Sequence, residues 1–133
     1  DGQGIDLDTL IAPGHAVLLF VCGRDCEFCT MTVHAYAERH ERFRARRTAL
    51  ATIAPWSAGT VAACARPGVV AAIDSELHVA RAYGLVADGR GVDWPGLARR
   101  DAPAIGFAHR RPFAATIVVD ADATVRHARI DVD

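Results

Sequence analysis

A run of six apolar residues, Ala16-Val17-Leu18-Leu19-Phe20-Val21, leads within five positions to a Cys-x-x-Cys unit, Cys26 and Cys29, and from there into a segment of helical period. The run is short, continuously apolar and bounded by turn residues, with Pro13-Gly14 before it and Gly23 after it. This is the pattern of a strand buried on both faces, since a strand with one wet face would alternate apolar and polar residues. Covering both faces of a sheet requires helices on each side of it, which points to an α/β fold. With 133 residues the chain is long enough for one core and too short for two, so residues 1–133 are expected to form one domain.

The rest of the chain supports that order. From Cys26 to about Arg46, the residues Cys29, Val33, Tyr36 and Phe43 recur at helical intervals, with His40 interrupting the stripe and Glu38, Arg39, Glu41, Arg42 and Arg44 on the other side. Asp25 stands where an N-cap is needed. Thr48–Ala54 reads as a second buried strand stopped by Pro55, and Ser57–Ala65 as a short alanine-rich helix closed by Pro67-Gly68. Val69–Ile73 is a third strand, followed by a helix that Asp74 or Ser75 caps and Gly84 ends. Between Ala87 and Arg111 glycines and prolines break any long period, giving a surface excursion. Ala115–Val119 and Thr124–Ile130, joined by Asp120-Ala121-Asp122-Ala123, read as an antiparallel hairpin.

The formal net charge is -1, so no overall field would draw the chain to nucleic acid or anionic lipid. No apolar run is long enough to span a membrane, and a cytoplasmic location is expected. Three of the four cysteines, Cys22, Cys26 and Cys29, fall within eight residues, with Cys64 apart from them. A disulfide scaffold would spread its cysteines, so a local redox or metal site is the better reading. Zinc would need Cys22, Cys26 and Cys29 with Cys64 or His15, whereas structural zinc sites pair their ligands in two separated couples. The second couple is missing, and no metal is expected.

A Cys-x-x-Cys unit at a strand-to-helix junction sets its first sulfur at the positive end of the helix dipole, where a thiolate is favoured. The second sulfur lies about one turn further on, close enough to close a disulfide. Cys26 and Cys29 are therefore the candidate catalytic pair, with Cys26 the more exposed. Arg24 would favour the thiolate while Asp25 and Glu27 would oppose it. Cys64 is a candidate second resolving thiol, although a cysteine among alanines is more often core. His15 and His34 are expected at the surface. Asp120 and Asp122 fit a turn that bonds its own backbone better than a metal site.

The stretch from Ala16 through Cys29 resembles a strand followed by a glycine, an aromatic and Cys-Pro-Tyr-Cys. Asp74 through Leu85 resembles an aspartate-led helix ending in tyrosine and glycine, and Ala115–Asp120 with Val125–Arg129 a closing hairpin. These features together are similar to the peroxiredoxin-like branch of the alkyl hydroperoxide reductase and thiol-specific antioxidant family. Cys22 stands where the family's cysteine motif has a proline, and Ala114 where the branch has one ahead of its alanine-threonine strand.

The resemblance implies a thioredoxin-like fold, a central mixed sheet with helices on both faces. It implies reduction of a peroxide, no bound cofactor, a thioredoxin-type reductant and pairing into homodimers. In the peroxiredoxin register Cys29 is the attacking cysteine, and in the thioredoxin register Cys26 attacks and Cys29 resolves. Two other functions stay open: a protein-disulfide exchanger with little peroxidase activity, and a non-catalytic binding module of the same fold.

Overall fold

The apolar run Ala16–Val21 becomes the centre of a sheet. A computed structural model of the protein describes residues 5–22, 27–55, 66–74, 76–86 and 113–131. Strand β1, His15–Phe20, is buried from Ala16 onward, and the burial continues through Val21. Strand β2, Thr48–Ala54, lies parallel to β1, and β3, Val69–Ile73, parallel to β2. Strands β4, Ala114–Val119, and β5, Val125–Asp131, form the expected hairpin, with β4 antiparallel to β1. The order is β3-β2-β1-β4-β5, a mixed five-stranded sheet with β1 in the middle.

Alternate residues of the inner strands feed two cores. On one face Ala16, Leu18 and Phe20 pack with Ile117 and Val119 beneath helix α1, Leu7–Ile11, and helix α4, His78–Ala82. On the other, Val17, Leu19 and Val21 pack with Leu50 and Ala54 beneath α2, Glu27–Ala37, and with Phe43 of α3, His40–Ala45. No helix among the described residues is long and apolar enough to cross a membrane.

Two elements differ from the expectation. Helix α1 does not stand out in the sequence because it is one short turn, capped by the Asp6 carboxylate accepting from the Thr9 N–H at 2.7 Å. The single helix expected from Cys26 to Arg46 is broken into α2 and α3 at Glu38-Arg39. The break turns the His40 ring onto Gly68, where a Cβ would come within 2.3 Å of the imidazole, and Gly68 itself takes a φ of +77°. His40 Nδ1 lies 2.8 Å from the Ala37 carbonyl oxygen, which ties the ring to the end of α2.

Asp74 does the expected capping from further upstream, its buried carboxylate accepting from the N–H groups of Val79 at 3.2 Å and Ala80 at 2.8 Å. Gly84, at φ +71°, ends α4 as expected. The helix expected at Ser57–Ala65, the excursion from Ala87 to Arg111 and the alternative cap Ser75 lie outside the described residues.

Candidate active site

The central strand and the first turn of α2 bring two sulfurs together. Val21, just past β1, still donates its N–H to the Ile53 carbonyl at 3.1 Å, so the backbone is held in the sheet up to Cys22. Cys22 follows at the carboxyl end of the strand and is half-buried. Cys29 is the third residue of α2 and only 4% exposed, because the helix turns it into the core that also holds Leu19 and Val21. Cys22 Sγ and Cys29 Sγ lie 3.5 Å apart, in contact but well beyond bonding distance. The Cys22 N–H also donates to Cys29 Sγ at 3.4 Å.

Cys29 therefore meets two sources of positive potential. The first turn of α2 contributes unsatisfied backbone N–H groups at the positive end of its dipole. The Cys22 N–H adds a donor aimed at the sulfur, and a hydrogen bond of this kind strengthens as negative charge builds on the acceptor. A small cleft bounded by Phe28, Cys29, Thr32, Ala114, Thr116 and Asp131 lies beside Cys29. Its free volume of ≈ 10 Å³ is about enough for one water molecule. Ala114, at the position that carries proline in the resembling branch, belongs to the same core cluster as Cys29 and lines the same cleft.

Of the expected site residues, Cys29 lies in the first turn of α2, the helix that follows β1, and is buried. Cys26, Cys64 and Arg24 lie outside the described residues. His15 begins β1 and Cys22 follows its end, which separates them by roughly 20 Å of extended chain. That separation removes His15 from any joint site with the thiols. His34 is exposed on α2 and lies 3.2 Å from Glu38. Among the described residues no group of three or more His, Cys, Asp or Glu is placed to hold a metal.

Cys22 is the residue that sequence reasoning missed as a resolving partner, placing it in the cysteine cluster, among the zinc ligands and at the motif's proline position. Its signal was its place directly after the buried strand, at the end of the sheet where α2 begins. A separation of seven residues across that junction matches no local motif.

The family model for the AhpC/TSA family matches residues 1–128. The chain belongs to the AhpC/TSA family. Among solved structures it is similar to the bacterioferritin comigratory protein of Xanthomonas campestris, at a TM-score of 0.70 and 12% identity over 100% of this chain and 77% of that one. It is also similar to the peroxidoxin BcpB of Mycobacterium tuberculosis, at 0.65 and 18% identity over 93% and 72% of the two chains. For the reduced 2-Cys peroxiredoxin of Plasmodium vivax the values are 0.66 and 14%, covering 96% of this chain and 61% of that one. No curated protein matches the chain. At these identities the structural likenesses carry the fold, the thioredoxin-like α/β arrangement expected for an AhpC/TSA member.

Proposed function

We propose that the chain is a thiol-dependent peroxide reductase in which Cys29 attacks the peroxide and Cys26 is its partner within the motif. The observation that carries this reading is the setting of Cys29: a sulfur in the first turn of α2 that accepts the Cys22 N–H, in a residue that lines a small cleft. Membership of the AhpC/TSA family supports it from the side of the sequence. In the attack the Cys29 thiolate takes the distal peroxide oxygen, the O–O bond breaks, and the alkoxide or hydroxide leaves with a proton as alcohol or water. The sulfenic acid then condenses with a thiol, and a thioredoxin-type dithiol returns the disulfide to its reduced form.

Peroxide consumption in a coupled assay tests the assignment. Cys29→Ser is expected to lower the rate by at least about a hundredfold, because the nucleophile is gone. Cys26→Ser is expected to keep the first oxidation while slowing turnover. Full activity in Cys29→Ser would overturn the reading. Loss in Cys26→Ser alone would move the attacking role to Cys26. A protein-disulfide exchanger would instead consume little peroxide and form a mixed disulfide with a protein substrate.

A further inference from the structure

The motif pair does not account for Cys22. We propose that Cys22 is a resolving partner of Cys29, so that Cys29 belongs to a Cys22–Cys29 dithiol-disulfide couple in addition to its couple with Cys26. The peroxide-driven form of this cycle rests on the proposed function above, while the couple itself does not.

Three observations carry it. The two sulfurs are already in contact at 3.5 Å, which leaves about 1.5 Å of approach before a bond of normal length. They sit on two different elements, the end of β1 and the first turn of α2, both anchored in one core through Val21, Cys29 and Val33. Their meeting is thus set by packing. The Cys22 N–H points at the same sulfur, so the backbone of Cys22 and its thiol converge on Cys29.

The chemistry balances. Once Cys29 is a sulfenic acid, the Cys22 sulfur attacks the Cys29 sulfur, the S–S bond forms, the S–O bond breaks, and hydroxide leaves with the Cys22 proton as water. A dithiol reductant then attacks. Cys22 is the half-buried sulfur and Cys29 the buried one, so attack falls on Cys22 and releases the Cys29 thiolate for the next peroxide. The reductant ends as its own disulfide after its second thiol displaces Cys22.

The arginine pattern supplies a direct assay. The tryptic peptide ending at Arg24 carries Cys22, the next one, Asp25–Arg39, carries Cys26 and Cys29, and Cys64 falls in Thr48–Arg81 because Pro67 protects Arg66 from cleavage. A Cys26–Cys29 disulfide stays inside one peptide, whereas a Cys22–Cys29 disulfide joins two. Full-length Cys26→Ser/Cys64→Ser protein is equilibrated across reduced and oxidised glutathione ratios, alkylated, digested and weighed.

The expected product is the joined pair of peptides, two hydrogens lighter than their sum, rising as the buffer becomes more oxidising. In wild-type protein the same joined peptides should appear with Cys26 alkylated, which guards against a variant that folds poorly. Cys22 recovered only as the alkylated thiol or its glutathione adduct, in both proteins, would overturn the couple.

Hydrogen peroxide with a sulfenic-acid trap separates this from the proposed function. Adding Cys22→Ser to the Cys26→Ser/Cys64→Ser protein should raise trapped Cys29 sulfenic acid by roughly tenfold, since its resolving thiol is gone. Trapped sulfenic acid without joined peptides sinks the couple and leaves the peroxide reading standing. Joined peptides in glutathione without any trapped sulfenic acid uphold the couple and sink the peroxide reading.

Discussion

Cys29 and Thr52 face the same side of the sheet and are treated differently by it. Thr52 lies opposite Leu19 in the β1–β2 register, between Leu50 and Ala54, which both line the core under α2. Cys29 enters that core with a backbone N–H directed at its sulfur. Thr52 is 1% exposed, and its hydroxyl has no hydrogen-bond partner among the described residues. A buried hydroxyl without a partner keeps its desolvation cost, about 1–3 kcal/mol. Valine has nearly the same shape and no polar atom to desolvate. Thr52→Val is therefore expected to raise unfolding stability by about 1 kcal/mol, read as a higher urea midpoint at unchanged slope. A drop in the midpoint would mean that the hydroxyl does have a partner in solution.

Elements read well where the information is local. Thr48–Ala54 and Val69–Ile73 form strands with the expected bounds, because an apolar, β-branched run stopped by Pro55 or started after Pro67-Gly68 carries its limits with it. The α2–α3 break was not legible, because Phe43 continues the period of Tyr36 and the two rings even stack at 5.5 Å. His40, just past the break, packs on Gly68, a contact between distant positions that no period encodes. The site divides in the same way: Cys29 was visible from its motif, and the approach of Cys22 only from packing. The β4–β5 hairpin shows a local reading carried down to its chemistry. Asp120 Oδ1 accepts from the Asp122 N–H at 2.9 Å and the Thr124 N–H at 3.0 Å, while Oδ2 pairs with the Arg126 guanidinium. The Arg126 hydrogen bond first, then the Thr124 N–H, hold the Asp120 carboxyl below its ordinary 3.8. A carboxyl depressed in the folded state binds protons more readily when unfolded, so its stabilisation is full above the ordinary value and fades as pH falls through the lower folded one. Asp120→Asn should thus melt below the wild type at pH 7, and the gap in Tm should close as pH is taken from about 4 downward. A gap that stays constant to the lowest pH would show that the charge of Asp120 is not what stabilises the turn.

At the scale of the molecule, β1 is shared by two cores whose duties differ. Ile117, 0% exposed, belongs to the core under α1 and α4, and Val33, 1% exposed, to the core that holds Cys29 and Cys22. The sheet between them is a hydrogen-bonded layer, with β1 paired to β2 on one side and β4 on the other, so a cavity on one face need not loosen the other. Global stability depends on both faces, whereas the accessibility of the thiols depends on one. Ile117→Ala removes more apolar volume and is expected to cost about 2–5 kcal/mol. Val33→Ala removes less and should cost about 2 kcal/mol by transfer and cavity together. Alkylation of Cys29 by iodoacetamide under native conditions, in a Cys26→Ser background, should reverse that ranking. Its rate should rise several-fold with Val33→Ala, because α2 loses the contact that presses its first turn onto β1, and stay within about twofold with Ile117→Ala while that variant remains folded. Equal acceleration in both variants would mean that Cys29 reacts through global opening, and the cleft beside Phe28 and Ala114 would then not be its route to solvent.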